Sequence, residues 1–396
     1  MDHRLLRPGP LTGLTLALAG TLLFAPAAAE TALSSAAQTM PARHQAQQAA
    51  APGTAGQDVS VHGAQLEKGG VPFRPRGVQI VGLVAPKGSL TGVYAKAHRH
   101  FGAGELSKAA GDHADTIRFQ VSEFGLDPRD SLYSPAYVQE VESAVKTART
   151  DRFTVIVSVQ AEPPAGKPTR CPLPDEGTLR VWNKLAPAFA ADRGVLFELY
   201  NEPSLQPSQR NWTLWRDGGQ VTGTNGSCTA VGMQTLVASI RSGKASNVIV
   251  VPGLKLEQTI SGMPALTDPA SPSDPQLAYG IHYPSLSGGS TLWDKEFGAA
   301  SRHVPVIVSE WNASGTSENC QPAWPAEAPG LLNYLAGKDI GIVGFAFDYP
   351  KTIIETWPAY TPTSYHDFAC HAPGVPGRGG PGHLLFSRYA AQGAAR

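Results

Sequence analysis

The chain has 396 residues, 42% of them hydrophobic, with 32 basic and 32 acidic side chains and a formal net charge of zero. That length can bury a large core and accommodates one barrel-sized domain of ~250 residues or more. The balanced charge argues against a nucleic-acid partner and against a polybasic membrane patch.

Residues 1–10 carry cationic positions, an apolar run LTGLTLALAGTLLFAP follows, and Ala27, Ala28 and Ala29 precede Glu30. This order reads as an export signal cleaved near Ala29, so 1–29 is expected to be a signal peptide and the mature chain to be secreted. No later segment holds the ~20 unbroken apolar residues of a membrane helix, so no stable membrane insertion is expected after cleavage. Residues 30–58, rich in Ala, Gln, Thr and Ser, have little to bury and read as a flexible linker.

Over 59–396, short β-rich runs alternate with helical stretches. Candidate strands are 75–83, 114–122, 153–160, 195–201, 247–252, 277–283, 304–310 and 341–348. Several are near-continuous Val/Ile/Leu/Phe runs, as strands covered on both faces should be. Helices are predicted at 134–149, 178–191, 229–242, 254–262, 293–301, 327–337 and 383–394, with a less regular connection over 84–113. Eight strands with intervening helices is the count of a closed (β/α)8 TIM barrel, of the α/β class. The rival, an open doubly wound sheet, lacks its Gly-rich phosphate loop, because the first strand runs into Gly82-Leu83-Val84-Ala85-Pro86.

In a barrel the C-terminal strand ends converge on one face, where active sites are built. Those ends carry Arg118 and Ser122 on the second strand, Gln160 and Glu162 after the third, and Asn201-Glu202-Pro203 after the fourth. The sixth ends in His282-Tyr283-Pro284, the seventh in Glu310-Trp311-Asn312 and the eighth around Phe347-Asp348-Tyr349. A lone strand-end glutamate is ordinarily solvated or paired. Two of them, closing the apolar runs VLFELYN and VPVIVS, are harder to set aside. Strands four and seven lie across the barrel from each other, so Glu202 and Glu310 can point into one cleft. Cleaving a glycosidic bond needs such a pair: one carboxylic acid protonates the leaving oxygen, and a second carboxylate attacks the anomeric carbon or activates water.

The strings LYNEP (199–203), HY (282–283) and SEW (309–311) resemble glycoside hydrolase family 5, the cellulase and mannanase family of a retaining (β/α)8 clan, over roughly residues 72–350. The resemblance implies that Glu202 is the acid/base and Glu310 the nucleophile of a double displacement. It implies that Asn201 bonds the sugar 2-OH, that Arg118 sits against the nucleophile, and that His282 and Tyr283 orient the two carboxylates. It implies neither a metal nor an organic cofactor.

Two positions depart from the family pattern. The third strand ends in Gln160 rather than the usual histidine, and the eighth carries Phe347 rather than the usual sugar-stacking tryptophan. Phe347, Trp311 or Trp357 is the candidate replacement ring. Trp212, Trp215, Trp311, Trp324, Trp357 and Tyr360 follow strands four, seven and eight, which suggests several sugar subsites and a polysaccharide or oligosaccharide substrate.

Four cysteines allow three pairings. Loops of adjacent strands lie side by side, so Cys171–Cys228 and Cys320–Cys370 are the expected disulfides. Loops 161–177, 204–228 and 312–326 are expected to shape specificity. The leading functional expectation is a monomeric, endo-acting β-glycanase or related β-glycosidase. Its rival is a noncatalytic carbohydrate-binding protein on the same scaffold, which the intact glutamate pair disfavours. An esterase or lipase is disfavoured because no Gly-x-Ser-x-Gly element is present.

Overall fold

The computed structural model describes residues 55–84, 86, 97–161, 171–223, 226–282, 284, 288–312, 324–362 and 380–394. Eight parallel strands close into a ring: Arg76–Ile80, Thr116–Ser122, Thr154–Gln160, Val195–Glu198, Ile249–Pro252, Leu277–His282, Val306–Trp311 and Gly341–Gly344. They neighbour one another in chain order, and the eighth returns to the first, with Ile342 opposite Arg76 and Gly344 opposite Val78. Helices lie between most of them, the described connection from the fifth strand to the sixth being the exception, so the expected (β/α)8 barrel is the observed fold.

Side chains alternate along each strand. One set faces outward: Val78, Ile117, Phe119, Val155, Val157, Phe197, Val251 and Ile281 belong to the core shared with the helices. Helix Pro135–Thr150 shows how that shell is built. Ser134 caps it by accepting from the Tyr137 N–H, Pro135 sits in its first turn, and Tyr137, Val138, Val141, Val145 and Ala148 face the barrel. Burying each such large apolar side chain contributes roughly 1.5–3 kcal/mol.

The inward set changes character along the barrel axis. At the N-terminal end, Ile156, Leu196, Val250, Ala278, Ile307 and Val343 form one apolar cluster with Val59, Val61, Leu66 and Phe73. Those last four come from the segment that forms a small antiparallel sheet, Val59–His62, Gln65–Lys68 and Val71–Pro72, and closes that end. Towards the C-terminal end, Gln79, Arg118, Gln120, Ser158, Glu198, His282 and Ser309 are polar and buried. The buried charged side chains of the barrel interior thus gather at one end, and an apolar cluster fills the other.

The connections differ more from the sequence reading than the strands do. The 204–228 segment holds a helix, Gln209–Asp217, and most of a hairpin, Gly218–Gly223 with Gly226–Val231; the following helix therefore starts at Met233. The expected helix at 254–262 is not formed. Lys255, Leu256 and Glu257 instead take left-handed backbone angles, with φ of 60°, 55° and 61°. Their amides are recruited by the loop after the fourth strand: Lys255 N–H donates to the Leu205 carbonyl and Leu256 N–H to that of Pro203, both at 2.9 Å. A helix, Ala103–Gly111, occupies the end of the irregular first connection. No helix among the described residues is long and apolar enough to cross a membrane.

Candidate active site

The C-terminal strand ends bring Glu202 and Glu310 together. One carboxylate oxygen of each, with one ring nitrogen of His282, lie within 4.8 Å of one another. Glu310 stands near the end of the seventh strand, opposite His282 of the sixth, just past a shift in register. Its Oε2 accepts from Arg118 Nη1 at 2.8 Å and from Gln79 Nε2 at 2.7 Å, and neither bond engages Oε1. Glu202 follows the fourth strand in a left-handed conformation, φ 57°, uncommon for a residue with a Cβ. Its side chain is 27% exposed whereas that of Glu310 is 6% exposed, so of the two carboxylates Glu202 is the more open to solvent.

Arg118 is the hub. Fully buried, it donates from Nε to Glu198 Oε2 at 2.5 Å, from Nη1 to Glu310, and from Nη2 to Asn201 Oδ1 at 2.7 Å and Ser158 Oγ at 3.0 Å. Burial by itself would lower its pKa, but the Glu198 and Glu310 carboxylates outweigh it and the net shift is upward. Burial would raise Glu198, yet Arg118 and His282 hold it at about 2. A fork-shaped guanidinium suits this position because it can satisfy two carboxylates and an amide oxygen at once.

His282 is buried and reads both ways. Nδ1 lies 3.2 Å from Glu202 Oε1, and Nε2 lies 3.3 Å from Glu257 Oε2 and 3.3 Å from Arg118 Nη2. Burial would lower its pKa, but Glu257 and Glu310, with bonds to Glu198 and Glu202, raise it well above the usual imidazole value. With both nitrogens protonated, the ring donates to a carboxyl on each side. Glu257 is also wholly buried. Burial is the main cause that lifts its carboxyl well above the usual range; Glu198 adds to the shift, while His282 and Arg118 oppose it.

Glu257 and Gln79 have no counterpart in the sequence reading. For Gln79 a signal existed: a glutamine inside the apolar run GVQIVG must find a partner once both strand faces are covered. Glu257 gave none, because GLKLEQ reads as an ordinary helical turn. Its left-handed neighbourhood costs about 1–2 kcal/mol per residue, strain that persists only where the surroundings over-determine it.

The remaining expected site residues separate into those at the site and those in the core. Asn201, Arg118 and His282 are at the site. Gln160 is half-buried at the end of the third strand, in register with Ser122. Phe347 and Trp311 are corrections to the expected sugar platform. Phe347 is fully buried and stacked on Tyr360, with centroids 4.7 Å apart, and Trp311 is 1% exposed within the outer core. Trp212 and Trp215, three residues apart on an amphipathic helix, also turn inward, and Trp215 Nε1 donates to the Pro252 carbonyl at 2.8 Å. Trp357 is only partly buried and stacks on His98 at 4.1 Å. Tyr283, Glu162, Cys320, Cys370 and the Trp324 side chain lie outside the described residues. Cys171 and Cys228 form the expected disulfide, joining the loops after the third and fourth strands.

Among the described residues, two sets of side chains have metal-ligand composition, Glu198/Glu257/His282 and Glu202/His282/Glu310. In both, Arg118 already donates to a carboxylate, so a guanidinium takes the place a cation would fill. A cavity of about 490 Å³ lies at the opposite end of the barrel, against Leu66, Phe73, Pro305 and Ile340, remote from these carboxylates.

The cellulase family, glycosyl hydrolase family 5, matches residues 105–350. Among solved structures, the chain resembles a β-glucanase of Saccharophagus degradans in complex with cellotetraose (17% identity, 85% of this chain and 93% of that one, TM-score 0.55). It also resembles the catalytic domain of a Thermobifida fusca endoglucanase in complex with cellotetraose (16% identity, 84% and 97%, TM-score 0.57). A third is a β-mannanase of Thermomonospora fusca (15% identity, 83% and 99%, TM-score 0.51). No curated protein matches the sequence.

Proposed function

We propose that this chain, which belongs to glycosyl hydrolase family 5, the cellulase family, cleaves internal β-glycosidic bonds of a polysaccharide or oligosaccharide by double displacement with retention. Membership of the family makes it a glycoside hydrolase. In the proposed reaction Glu202 protonates the glycosidic oxygen as the leaving sugar departs. Glu310, through the oxygen that Arg118 and Gln79 do not hold, attacks the anomeric carbon and forms a glycosyl ester. Glu202, now a carboxylate, takes a proton from water, and that water releases the sugar and frees Glu310. Asn201 faces the sugar 2-OH, and His282 orients Glu202.

One observation carries the retaining mechanism: carboxylate oxygens of Glu202 and Glu310 lie within 4.8 Å. Retaining enzymes space these groups at ~5–5.5 Å, whereas inverting enzymes leave ~6.5–9.5 Å for an intervening water. The endo-acting reading is supported by the neighbours, an endoglucanase and a β-glucanase that hold cellotetraose and a β-mannanase. Export is part of the proposal, supported by the order of residues 1–29 and by a disulfide suited to an oxidising compartment.

The test is a panel of cellulose, glucomannan, β-1,3- and β-1,6-glucans, xylan and aryl β-glycosides, with NMR of the first-formed anomer. Retention is expected. Glu202→Gln and Glu310→Gln should each lose several orders of magnitude in turnover on a natural polymer while keeping the fold. Full activity in either variant removes that residue from its role, and an inverted product removes the double displacement.

A further inference from the structure

The Glu257 carboxyl has no part in the reaction just described, yet it sits between the two groups that control Glu202. The Glu202 backbone N–H donates to Glu257 Oε2 at 3.4 Å. The same oxygen lies 3.3 Å from Nε2 of His282, and Nδ1 of that ring lies 3.2 Å from the Glu202 carboxyl. Main chain, carboxyl, imidazole and side chain thus close a loop that begins and ends at Glu202. Ser309 donates its hydroxyl to the other Glu257 oxygen at 3.4 Å.

Two independent features mark this placement as built. The left-handed turn that delivers Glu257 is tied to the carbonyls of Pro203 and Leu205, the residues that follow Glu202. On the sixth strand, Gly280 makes room: a Cβ there would stand 2.1 Å from Glu257 Oε1. Any larger residue at 280 would displace the carboxyl from this position.

We propose that Glu257 is a positioning residue for Glu202, holding its left-handed backbone and, through His282, sharing the proton that the acid step uses. This rests on the reading of Glu202 as the acid/base. The charged and polar groups facing Glu257 are Glu198 and Glu202 from the fourth strand and its loop, Arg118 from the second, His282 from the sixth and Ser309 from the seventh. Glu310 acts on the same imidazole, and Lys255 is the charged neighbour on the Glu257 turn. Protons on such closely coupled groups belong to the set rather than to one residue. When Glu257 ionises, its negative charge disfavours loss of the next proton from the set and so extends the active form to higher pH.

The experiment compares kcat/KM against pH for the wild-type enzyme and Glu257→Gln, on 4-nitrophenyl β-cellobioside or β-mannobioside, whichever the wild type cleaves. Gln keeps an acceptor for the Glu202 amide but cannot ionise. The alkaline limb is expected to move to lower pH by about half a unit or more, with kcat reduced about tenfold and KM nearly unchanged. A folded Glu257→Gln whose alkaline limb superimposes on the wild type overturns the proposal. Should Glu257→Gln not fold, Glu257→Asp, which draws the charge back from His282, is read by the same limb in the same direction. Glu202→Ala assayed with azide on an activated aryl glycoside separates the two layers. Azide rescue with an unmoved limb in the Glu257 variant overturns the role of Glu257 alone; absence of rescue overturns the acid/base reading and the inference with it.

Discussion

Arg118 Nε lies 2.5 Å from Glu198 Oε2, and neither side chain has any exposure to solvent. The same guanidinium reaches Glu310 and Asn201, so one side chain on the second strand ties together the fourth and the seventh. Arg118→Met leaves Glu198 buried without its cation, and breaking a buried pair costs about 3–5 kcal/mol. The urea unfolding midpoint should fall accordingly. Arg118→Lys retains the charge but not the fork, so it should recover much of the stability and little of the turnover. Equal kcat in Arg118→Lys and wild type would show that charge suffices and that the fork geometry is dispensable.

Gln79 gives a smaller and cleaner perturbation. Its Nε2 donates to Glu310 at 2.7 Å and to Gln120 at 2.8 Å. A hydrogen bond to a charged group contributes about 1.5–3 kcal/mol, and each 1.4 kcal/mol of barrier is about tenfold in rate. Gln79→Leu should therefore lower kcat by about ten- to a hundredfold, with a lesser change in KM. Steady-state kinetics on the substrate chosen by the panel decides it; an unchanged kcat would mean that Arg118 alone suffices to orient Glu310.

The eight barrel strands were legible because each is covered on two faces and so is largely apolar, and runs such as FTVIVSVQ have few other uses. Glu202 and Glu310 were legible for the same reason, as carboxylates that close such runs. The connections were not. Glu257 lies in a segment with helical composition, whose left-handed turn is held in part by the carbonyls of Pro203 and Leu205, distant in sequence. The aromatic residues misled because a ring's chemistry does not say which face of its element is buried. Phe347 and Trp311 have the composition of a sugar platform and the burial of a core.

Gly280 tests the packing beneath Glu202 without altering any polar group. An added Cβ would meet Glu257 Oε1 at 2.1 Å and Ser309 Oγ at 2.9 Å. Overpacking of this kind costs about 1–3 kcal/mol. Gly280→Ala should lower the thermal midpoint and reduce kcat. Adding Glu257→Ala removes the atoms in the way, so the double variant should be more stable than the two single effects predict. Strict additivity would show that the alanine methyl finds room elsewhere and that Glu257 does not set the size of residue 280.

Asp348, at the turn after the eighth strand, carries a pH dependence of stability. Burial pushes its carboxyl up to about 7, against the Val81 and Gly82 amides, which donate to it at 3.0 and 2.6 Å and favour the anion. In the unfolded chain an aspartate titrates near about 3.9. Between about pH 4 and pH 7 the native protein thus holds a proton that the unfolded chain has lost. The stability this group provides is complete below about pH 4 and is lost as the pH climbs towards 7, with a limiting slope of about 1.4 kcal/mol per pH unit. Asp348→Asn keeps an oxygen for the two amides and cannot ionise. Urea unfolding at several pH values should show the variant gaining on the wild type across that window and holding a constant margin above it. Parallel curves from pH 4 to pH 7 would mean that Asp348 ionises at least as readily in the folded barrel as in the open chain, and that its two amide donors offset its burial in full.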